Sequence, residues 1–259
     1  MVNSFSKIFE ELAKTNDRSI IWNNWLDYCI QINLINHPGN ETNFYNNNEK
    51  YVDLMEAWLN ELTSKLESEP YYDILGHFYE ELVQSAGKSK SLGQAFTPPS
   101  VTDLMSDLVI KTDNNKNGIA NDPTCGSSRT LLAAHVESNG DLICIGQDLD
   151  RTSCQMSVLN FWSHGVRGSV LHMDTLEGTF YQGWRVNKYL YHGLPVPHIE
   201  EIYSIDEAYN FFELNNREPG VPADVVMNPD DIDKLEINCS PDNGISKRVT
   251  YKNGQTTLF

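Results

Sequence analysis

Residues 101–174 constrain the fold most, because helical and strand patterns alternate along them. Helical spacing of apolar residues is found in "VTDLMSDLVI", "SRTLLAAHVES" and "RTSCQMSVLNFWSHG". Between and after them, "GIANDP", "DLICIGQDLD" and "GSVLHMD" read as short strands bounded by turn residues. Strands that alternate with helices form a parallel sheet with helices on its faces. The predicted fold class is therefore α/β, with ligands bound beyond the carboxyl ends of the strands.

The first 90 residues carry a different pattern, in which apolar residues recur every three or four positions. This spacing predicts helices in "FSKIFEELAK", "IIWNNWLDYCIQI", "YVDLMEAWLNELTSKLES" and "YYDILGHFYEELVQSAG". The Asn-rich "NHPGNETNFYNNNEK" after the second of them is typical of a solvated loop. We predict a helical N-terminal region over residues 1–92 and an α/β domain over residues 93–259.

The composition indicates a globular protein with a sizeable core, since 40% of the 259 residues are hydrophobic. The sequence holds no run of eighteen apolar residues, and acids interrupt the amphipathic N-terminus, so no membrane span or secretory signal is predicted and a cytoplasmic location is expected. The five cysteines are scattered without a C-x-x-C pair, which favours reduced thiols. His164 and His172 have no third ligand nearby in sequence, so no metal site is predicted.

The charge balance bears on nucleic-acid binding, because 36 acids oppose 19 bases and leave a net charge of −17. Duplex DNA is normally bound by clustered Lys and Arg side chains that neutralise phosphates. Tight unaided DNA binding is therefore disfavoured. The net charge does not determine the charge of a single face of the protein. An enzyme that contacts DNA through one local face or through a partner is therefore not excluded.

The stretch "ANDPTCGSSRTLLAA" lies where the first predicted strand ends and a helix begins. Gly126 allows a tight turn or the close approach of a ligand, and Ser127 or Ser128 is expected to cap the helix that follows. Asp148 ends the next strand about twenty residues on, where Rossmann-type folds place an acid against ribose hydroxyls. Taken alone, the turn is interpreted as an ordinary loop and Asp148 as a helix cap. Because the two occur together at this spacing, they predict a binding site.

Five segments follow one another in a recognisable order: "DILGHFYE", "GQAFTP", "DPTCGSSRTLLAA", "GQDLDRTSCQMSVLNFWSHGV" and "HMDTL". In content and spacing they resemble the N6-adenine DNA methyltransferases, of the kind found as type I restriction-modification modification subunits and their phage-borne relatives. The resemblance spans roughly residues 73–176. It implies a Rossmann-like S-adenosylmethionine-dependent methyltransferase fold with an N-terminal helical region, and methyl transfer to N6 of adenine in DNA.

The resemblance implies that S-adenosyl-L-methionine is the cofactor, and it assigns residues to its site. The implied cofactor-binding residues are Phe96, Thr97, Asp122, Thr124, Gly126, Ser127, Asp148, Leu149, Asp174 and Asn228. The segment of Phe96 and Thr97 would close over the methionine end of the cofactor. Asp122 and the turn would hold its amino-acid portion, with the carboxylate opposing the ammonium group.

The nucleoside end of the cofactor is assigned in the same way. Asp148 would accept both ribose hydroxyls, Leu149 would pack on the adenine ring, and Asp174 would accept from the adenine amino group. Each assignment has an ordinary structural alternative. Asp174 could cap a turn, and Phe96 could pack in the hydrophobic core. Ser128 stands where the family usually has a second glycine, so weaker binding is the expected consequence.

The catalytic motif is only half present. The family carries Asn-Pro-Pro-Tyr or Asn-Pro-Pro-Phe after a strand, and here "PADVVMNPDD" supplies Asn228 and Pro229, followed by Asp230 and Asp231. In the family, the Asn oxygen and a Pro carbonyl accept from N6 of a flipped adenine, on which the aromatic ring stacks. Such stacking contributes about 1–3 kcal/mol, and a carboxylate cannot provide it. A catalytically inactive methyltransferase-like binding or regulatory protein is therefore the alternative.

The remaining sequence bears on partners. Thirty-one residues follow Asn228, so the methyltransferase domain is expected to be truncated after the catalytic motif. Residues 177–222 read as an insertion in which Arg185, Lys188 and His192 touch DNA, or which packs as a lid. The expected partners are DNA, bound weakly or with assistance, and a specificity or restriction subunit, with no membrane and no metal. A third hypothesis is a methyltransferase that acts on protein or RNA.

Overall fold

The computed structural model describes residues 4–14, 16–35, 49–85, 97–110, 118–190, 196–210, 249–252 and 255–258. The helices of these ranges are α1 (Phe5–Leu12), α2 (Arg18–Gln31), α3 (Glu49–Leu66), α4 (Ile74–Ser85), α5 (Pro99–Ile110), α6 (Arg129–Glu137), α7 (Arg151–His164) and α8 (Ile205–Tyr209). The strands are β1 (Ile119–Asp122), β2 (Ile143–Asp148), β3 (Gly168–Asp174), β4 (Thr179–Val186), β5 (Ile199–Ile202), β6 (Val249–Lys252) and β7 (Gln255–Leu258).

The N-terminal region is helical, as its apolar spacing predicts. Asp17 caps α2 by accepting from the backbone N–H groups of Ser19 and Ile20. Buried aromatic rings join the helices, and Trp58 of α3 stacks on Trp162 of α7 with ring centroids 6.4 Å apart. One continuous apolar core therefore runs from the N-terminal helices to the α/β part. The predicted boundary near residue 92 lies outside the described residues.

The sheet confirms the α/β class. Its strand order is β1-β2-β3-β4-β5. The three strands β1 to β3 run parallel, with Ile119 opposite Ile143 and Cys144 opposite Gly168. Helix α6 connects β1 to β2, and α7 connects β2 to β3, so each crossover is one βαβ unit. This arrangement brings the carboxyl ends of β1, β2 and β3 to one edge of the sheet.

Helices cover both faces of the sheet, as predicted. Side chains of a strand alternate between faces, and on β3 Val170 joins the large core beneath α7. Leu171 and Met173 belong to a separate apolar cluster with Ala208 of α8. The Ser169 hydroxyl donates to the Ala208 carbonyl at 3.0 Å, which fixes α8 against this second face.

The segment after β3 extends the sheet, so the expectation of a lid-like insertion is wrong for its described part, while contact with DNA stays a prediction. Strand β4 pairs antiparallel with β3, and β5 pairs antiparallel with β4. A turn with Gly178 at φ 71° joins β3 to β4, which makes a hairpin. Arg185 donates to Glu200 at 2.8 Å across β4 and β5, and Lys188 is 4% exposed. His192 lies outside the described residues.

Four cysteines of the described residues are free and buried, at positions 29, 125, 144 and 154, in agreement with reduced thiols. Cys239 lies outside the described ranges. Across those ranges, no helix combines the length and the apolar character that a membrane crossing needs. Nor do they hold a group of three His, Cys, Asp or Glu side chains placed to bind a metal ion.

Acid should destabilise this fold through His135. Burial, with a smaller contribution from the charge of His164, lowers the pKa of His135 from 6.5 to about 4. The unfolded chain therefore binds a proton between pH 6.5 and about 4 that the folded chain does not, so stability falls as the pH drops through this window. We expect the urea midpoint, followed by circular dichroism, to fall between pH 7 and pH 4.5, and to fall less in His135→Leu. Equal falls in both proteins would contradict this assignment.

Candidate cofactor site

Three aspartates mark the carboxyl edge of the parallel strands. Asp122 ends β1, Asp148 ends β2 and Asp174 ends β3. The parallel register places Asp122 opposite Gly146 and Asp148 opposite His172. All three aspartates are half-buried rather than fully exposed. The three acids that the resemblance assigns to the cofactor site therefore lie at one edge of the sheet.

The turn between β1 and α6 lies against the end of β2. The Cys125 N–H donates to the Gln147 carbonyl at 2.8 Å, and the Gly126 N–H donates to Asp148 Oδ2 at 2.9 Å. Gly126 has φ 56°, a left-handed conformation that glycine adopts without a steric penalty. The Gly126 turn thus holds the carboxylate that the sequence pairs with it.

Neither serine of the turn caps α6 through its hydroxyl in the way we predicted. Ser128 occupies the N-cap position with φ 66° and makes no side-chain cap bond, because it is left-handed where a capping residue is extended. Its hydroxyl donates to Ser157 Oγ at 2.8 Å, and the Ser127 hydroxyl donates to Asp73 Oδ2 at 2.5 Å. A left-handed Ser128 also explains why a glycine suits this position in relatives of the resembled family.

Asp148 is anchored but keeps accepting capacity. Its Oδ1 accepts the Asp150 N–H at 2.8 Å, and its Oδ2 accepts that of Gly126. Burial raises the pKa of Asp148, and the two backbone donors oppose that rise. A carboxylate offers about four lone-pair sites, so two further donors can be accommodated. The alternative role of capping α7 belongs to Asp150, which accepts from the N–H groups of Thr152 and Ser153.

The other two aspartates support turns as well. Asp122 Oδ1 accepts the Thr124 N–H at 3.0 Å, and Asp122 Oδ2 accepts the Thr130 hydroxyl. Asp174 Oδ1 accepts the N–H groups of Leu176 and Glu177, both at 3.0 Å, so the turn-cap alternative for Asp174 is observed. These bonds fix the two carboxylates at the strand ends.

The remaining predicted residues divide into described and undescribed ones. Leu149 is 61% exposed directly beside Asp148, which leaves an apolar surface for a flat ring. The Thr97 carbonyl accepts from Arg129 Nη1 at 3.0 Å. Phe96, Asn228 and Pro229 lie outside the described residues, so their assignments stay predictions.

Sequence reasoning gave no role to Asp73, which lies next to this site and is 2% exposed. Its carboxylate accepts from Gly76 N, Asn160 Nδ2, Ser127 Oγ and Arg129 Nε. The signal available in the sequence was its place in "DILGHFYE", but the partners lie 54, 56 and 87 residues away for Ser127, Arg129 and Asn160. Such distances in sequence hide a contact from any local pattern.

The donor and acceptor character of this edge fits a cationic nucleoside ligand. Three carboxylates supply acceptors, which match hydroxyl, amino, ammonium and sulfonium groups and disfavour a pyrophosphate. The nearby guanidinium of Arg129 is 4% exposed and pairs with Asp73 at 3.1 Å. S-adenosylmethionine carries an ammonium, a sulfonium and two ribose hydroxyls, so the residues present suit it better than a dinucleotide.

Comparison with known proteins finds similarity to DNA methylases and restriction enzymes. The family described as N-6 DNA Methylase matches residues 71–187. The methylase subunit of the type I restriction enzyme MjaVIII of Methanocaldococcus jannaschii is 31% identical over 136 residues, 51% of this chain and 22% of the relative. The type II restriction enzyme and methyltransferase RM.BcgI of Heyndrickxia coagulans is 37% identical over 75 residues, 29% of this chain and 11% of that protein.

A solved structure is also similar, that of a type I restriction-modification methyltransferase subunit of Streptococcus thermophilus. It has a TM-score of 0.30 and 23% identity, and the match covers 45% of this chain and 25% of that one. The match covers about a fifth of the length of the MjaVIII methylase subunit and about a tenth of the length of RM.BcgI. The matched span takes in α4, the Gly126 turn and the strands β1 to β4. Residues 71–187 are therefore similar to the N-6 DNA methylases, in agreement with the resemblance carried by the five ordered segments.

Proposed function

We propose that this chain binds S-adenosyl-L-methionine at the carboxyl ends of β1 and β2, as part of an N6-adenine DNA methyltransferase. The observation that carries the proposal is the half-buried Asp148, held by the N–H groups of Gly126 and Asp150 at the end of β2. Its position beside a glycine turn is the arrangement that Rossmann-type folds use for a ribose. The family match over residues 71–187 supports the same ligand.

Each strand end would contact one part of the cofactor. Asp148 would accept the two ribose hydroxyls, and Leu149 would cover the adenine ring. Asp122, with Thr124 and the backbone of Gly126 and Ser127 in the turn, would hold the amino-acid portion; the Ser127 hydroxyl is buried and donates to Asp73. When bound, the cofactor supplies an electrophilic methyl group on a sulfonium. The described residues would bind and orient it.

The catalytic step would depend on Asn228 and Pro229. The Asn228 side-chain oxygen and the Pro229 carbonyl would accept hydrogen bonds from N6 of the target adenine, directing the nitrogen lone pair at the methyl group. Asp230 and Asp231 replace a proline and an aromatic residue there, so stacking on the base would be lost and two charges would face an anionic substrate. Slow or absent turnover by the chain on its own follows.

A partner subunit would supply most of the DNA contacts. The net charge is −17, and two basic residues of the β4 region are used within the fold. Arg185 pairs with Glu200 at 2.8 Å. Lys188 is buried, and its ammonium group lies 5.1 Å from the centroid of the Tyr189 ring. A specificity or restriction subunit is the proposed partner, because the first relative is named a subunit of a type I restriction enzyme.

A second function is favoured by the sequence Asn-Pro-Asp-Asp itself. A chain that keeps the cofactor turn and loses the base-stacking aromatic residue would act as a cofactor-binding regulatory protein. Protein or RNA substrates are the third possibility, since planar amide or amine nitrogens present the same geometry to an Asn-Pro motif. The three functions differ in the acceptor of the methyl group, which is DNA in the first, absent in the second, and protein or RNA in the third.

Methyl transfer separates these functions. We expect S-adenosylhomocysteine to bind the native chain in a calorimetric titration, and little tritiated methyl to reach mixed-sequence DNA. A variant carrying Asp230→Pro and Asp231→Tyr should gain activity, because the stacking contribution returns and about 1.4 kcal/mol is tenfold in rate. Asn228→Ala in that variant serves as the control and should remove the gain.

The outcomes are distinct. Strong native activity that falls in Asn228→Ala would refute the inactive alternative and establish the enzyme. Cofactor binding with no transfer to DNA by the native chain or by the Asp230→Pro, Asp231→Tyr variant would favour the regulatory protein. Transfer to RNA or protein in parallel reactions would support the third function. Absence of cofactor binding in the native chain would contradict the proposal as a whole.

A further inference from the structure

A buried carboxylate joins three parts of the chain beside the Gly126 turn. Asp73, just before α4, accepts from Gly76 N and from Asn160 Nδ2 through Oδ1, both at 2.8 Å. Its Oδ2 accepts from Ser127 Oγ at 2.5 Å and from Arg129 Nε at 3.1 Å. We call these five residues the Asp73 cluster. It links α4 and α7 to the turn and the start of α6.

Arg129 extends the cluster to the start of α5. Its Nη2 lies 3.1 Å from Asp73 Oδ2 and 3.7 Å from Glu80 Oε2. Its Nη1 donates to the Thr97 carbonyl at 3.0 Å, two residues before α5 begins. The guanidinium and the carboxylate are both almost fully buried. Each charge therefore depends on the other to offset the cost of removing it from water.

Ser127 is fixed at both of its polar groups. Its hydroxyl donates to Asp73, and its carbonyl accepts from Asn160 Nδ2 at 2.8 Å. Ser127 follows Gly126, whose N–H holds Asp148 at 2.9 Å. A shift of Ser127 would therefore move the N–H group that anchors the proposed ribose-binding carboxylate.

Gly76 shows how tightly the cluster is packed. A Cβ atom at this position would lie 2.0 Å from Asp73 Oδ2 and 2.5 Å from Ser127 Oγ. No side chain fits there without displacing the carboxylate or the serine. The glycine of "DILGHFYE" therefore leaves room for the Asp73 to Ser127 hydrogen bond.

We propose that Asp73 is a positioning residue for the cofactor, which acts through Ser127 on the Gly126 turn and through Arg129 on the Thr97 segment. The inference rests on the proposed function, because it assumes that the turn binds the cofactor. It adds that residues of the N-terminal helical region set the shape of the site without contacting the ligand. Affinity for the cofactor then depends on α4.

The matched control is another buried ion pair that lies away from the turn. Glu200 of β5 accepts from Arg185 Nε at 2.8 Å, and their side chains are 11% and 14% exposed. Glu200→Gln weakens an ion pair of the same kind within β4 and β5. A purely structural role for Asp73 predicts the same behaviour for both carboxylates, namely lower stability with unchanged affinity of the folded protein.

The test compares Asp73→Asn, Ser127→Ala and Glu200→Gln with the native chain. Dissociation constants for S-adenosylhomocysteine are measured by calorimetry at a temperature where circular dichroism shows each protein folded, and urea unfolding is measured in parallel. We expect at least tenfold weaker binding in Asp73→Asn, at least threefold in Ser127→Ala, and a change below twofold in Glu200→Gln. Ser127→Ala removes one hydroxyl, so it decides the matter if Asp73→Asn does not fold.

Native affinity in Ser127→Ala and in any folded Asp73→Asn would overturn the positioning role and leave the proposed function intact. Equal weakening in Glu200→Gln would overturn it too, because the effect would then follow general destabilisation. Failure of the native chain to bind S-adenosylhomocysteine would overturn the proposed function and this inference together. The native titration thus separates the two failures.

Discussion

Asp148→Ala should weaken the binding of S-adenosylhomocysteine by roughly a hundredfold. A hydrogen bond to a charged group contributes about 1.5–3 kcal/mol, so losing two ribose contacts costs about 3 kcal/mol or more. An additional loss follows from the Gly126 turn, since the Gly126 N–H donates to Asp148 Oδ2 at 2.9 Å. Calorimetric titration of the variant beside the native chain measures the change.

Asp141→Ala is the matched control for this substitution. Asp141 is exposed and precedes β2 at its amino end, whereas Asp148 closes the same strand at its carboxyl end. Removing it changes the net charge by the same amount and should leave the affinity within twofold. If Asp148→Ala binds as tightly as the native chain, the ribose assignment is wrong. Equal losses in both variants would point to a nonspecific effect of charge.

Gly168→Ala should be among the most destabilising small substitutions in the sheet. An added Cβ would lie 2.0 Å from the Cys144 carbonyl oxygen and 2.8 Å from Phe161 Cε2. The first of these atoms belongs to the backbone of β2, which pairs with β3 at this register, so it cannot move aside as a side chain would. Overpacking of this kind costs about 3 kcal/mol, measured as the free energy of unfolding in urea.

Gly178→Ala provides the comparison, because the two glycines differ in the space around them. Gly178 lies in the turn after β3 with φ 71°, and a Cβ there would meet no atom within 4 Å. Only the left-handed conformation is penalised, at about 1 kcal/mol. A Gly168→Ala protein as stable as Gly178→Ala would show that β2 and β3 do not pack as described.

The α/β part of the fold was predictable because its signals are local. The predicted strand "GSVLHMD" coincides with β3, and each predicted helix between residues 101 and 164 overlaps an observed one. The strands β4 and β5 were missed, because residues 177–222 were interpreted as an insertion, whereas "TFYQGWRV" follows β3 through a short turn and pairs antiparallel with it. A change of pairing direction leaves little trace in a single sequence.

The candidate site was predictable only in part. Gly126 and Asp148 follow from their spacing, and the structure joins them by a hydrogen bond. The conformation of Ser128 was not predictable, because a capping residue and a left-handed residue look alike in sequence. The Asp73 cluster depends on contacts between distant segments, which no periodicity records. Phe96, Asn228 and Pro229 lie outside the described residues, so their roles stay predictions.

Hydrogen–deuterium exchange with and without S-adenosylhomocysteine tests the central claim most directly, because it locates the ligand on the chain. We predict slower amide exchange in peptides that cover residues 122–130 and 146–152, where the Gly126 turn and the end of β2 lie. Peptides of α1 and of β5, the strand at the far edge of the sheet, serve as internal references and should not change. Protection confined to other segments, or none at a saturating ligand concentration, would contradict the proposed cofactor site.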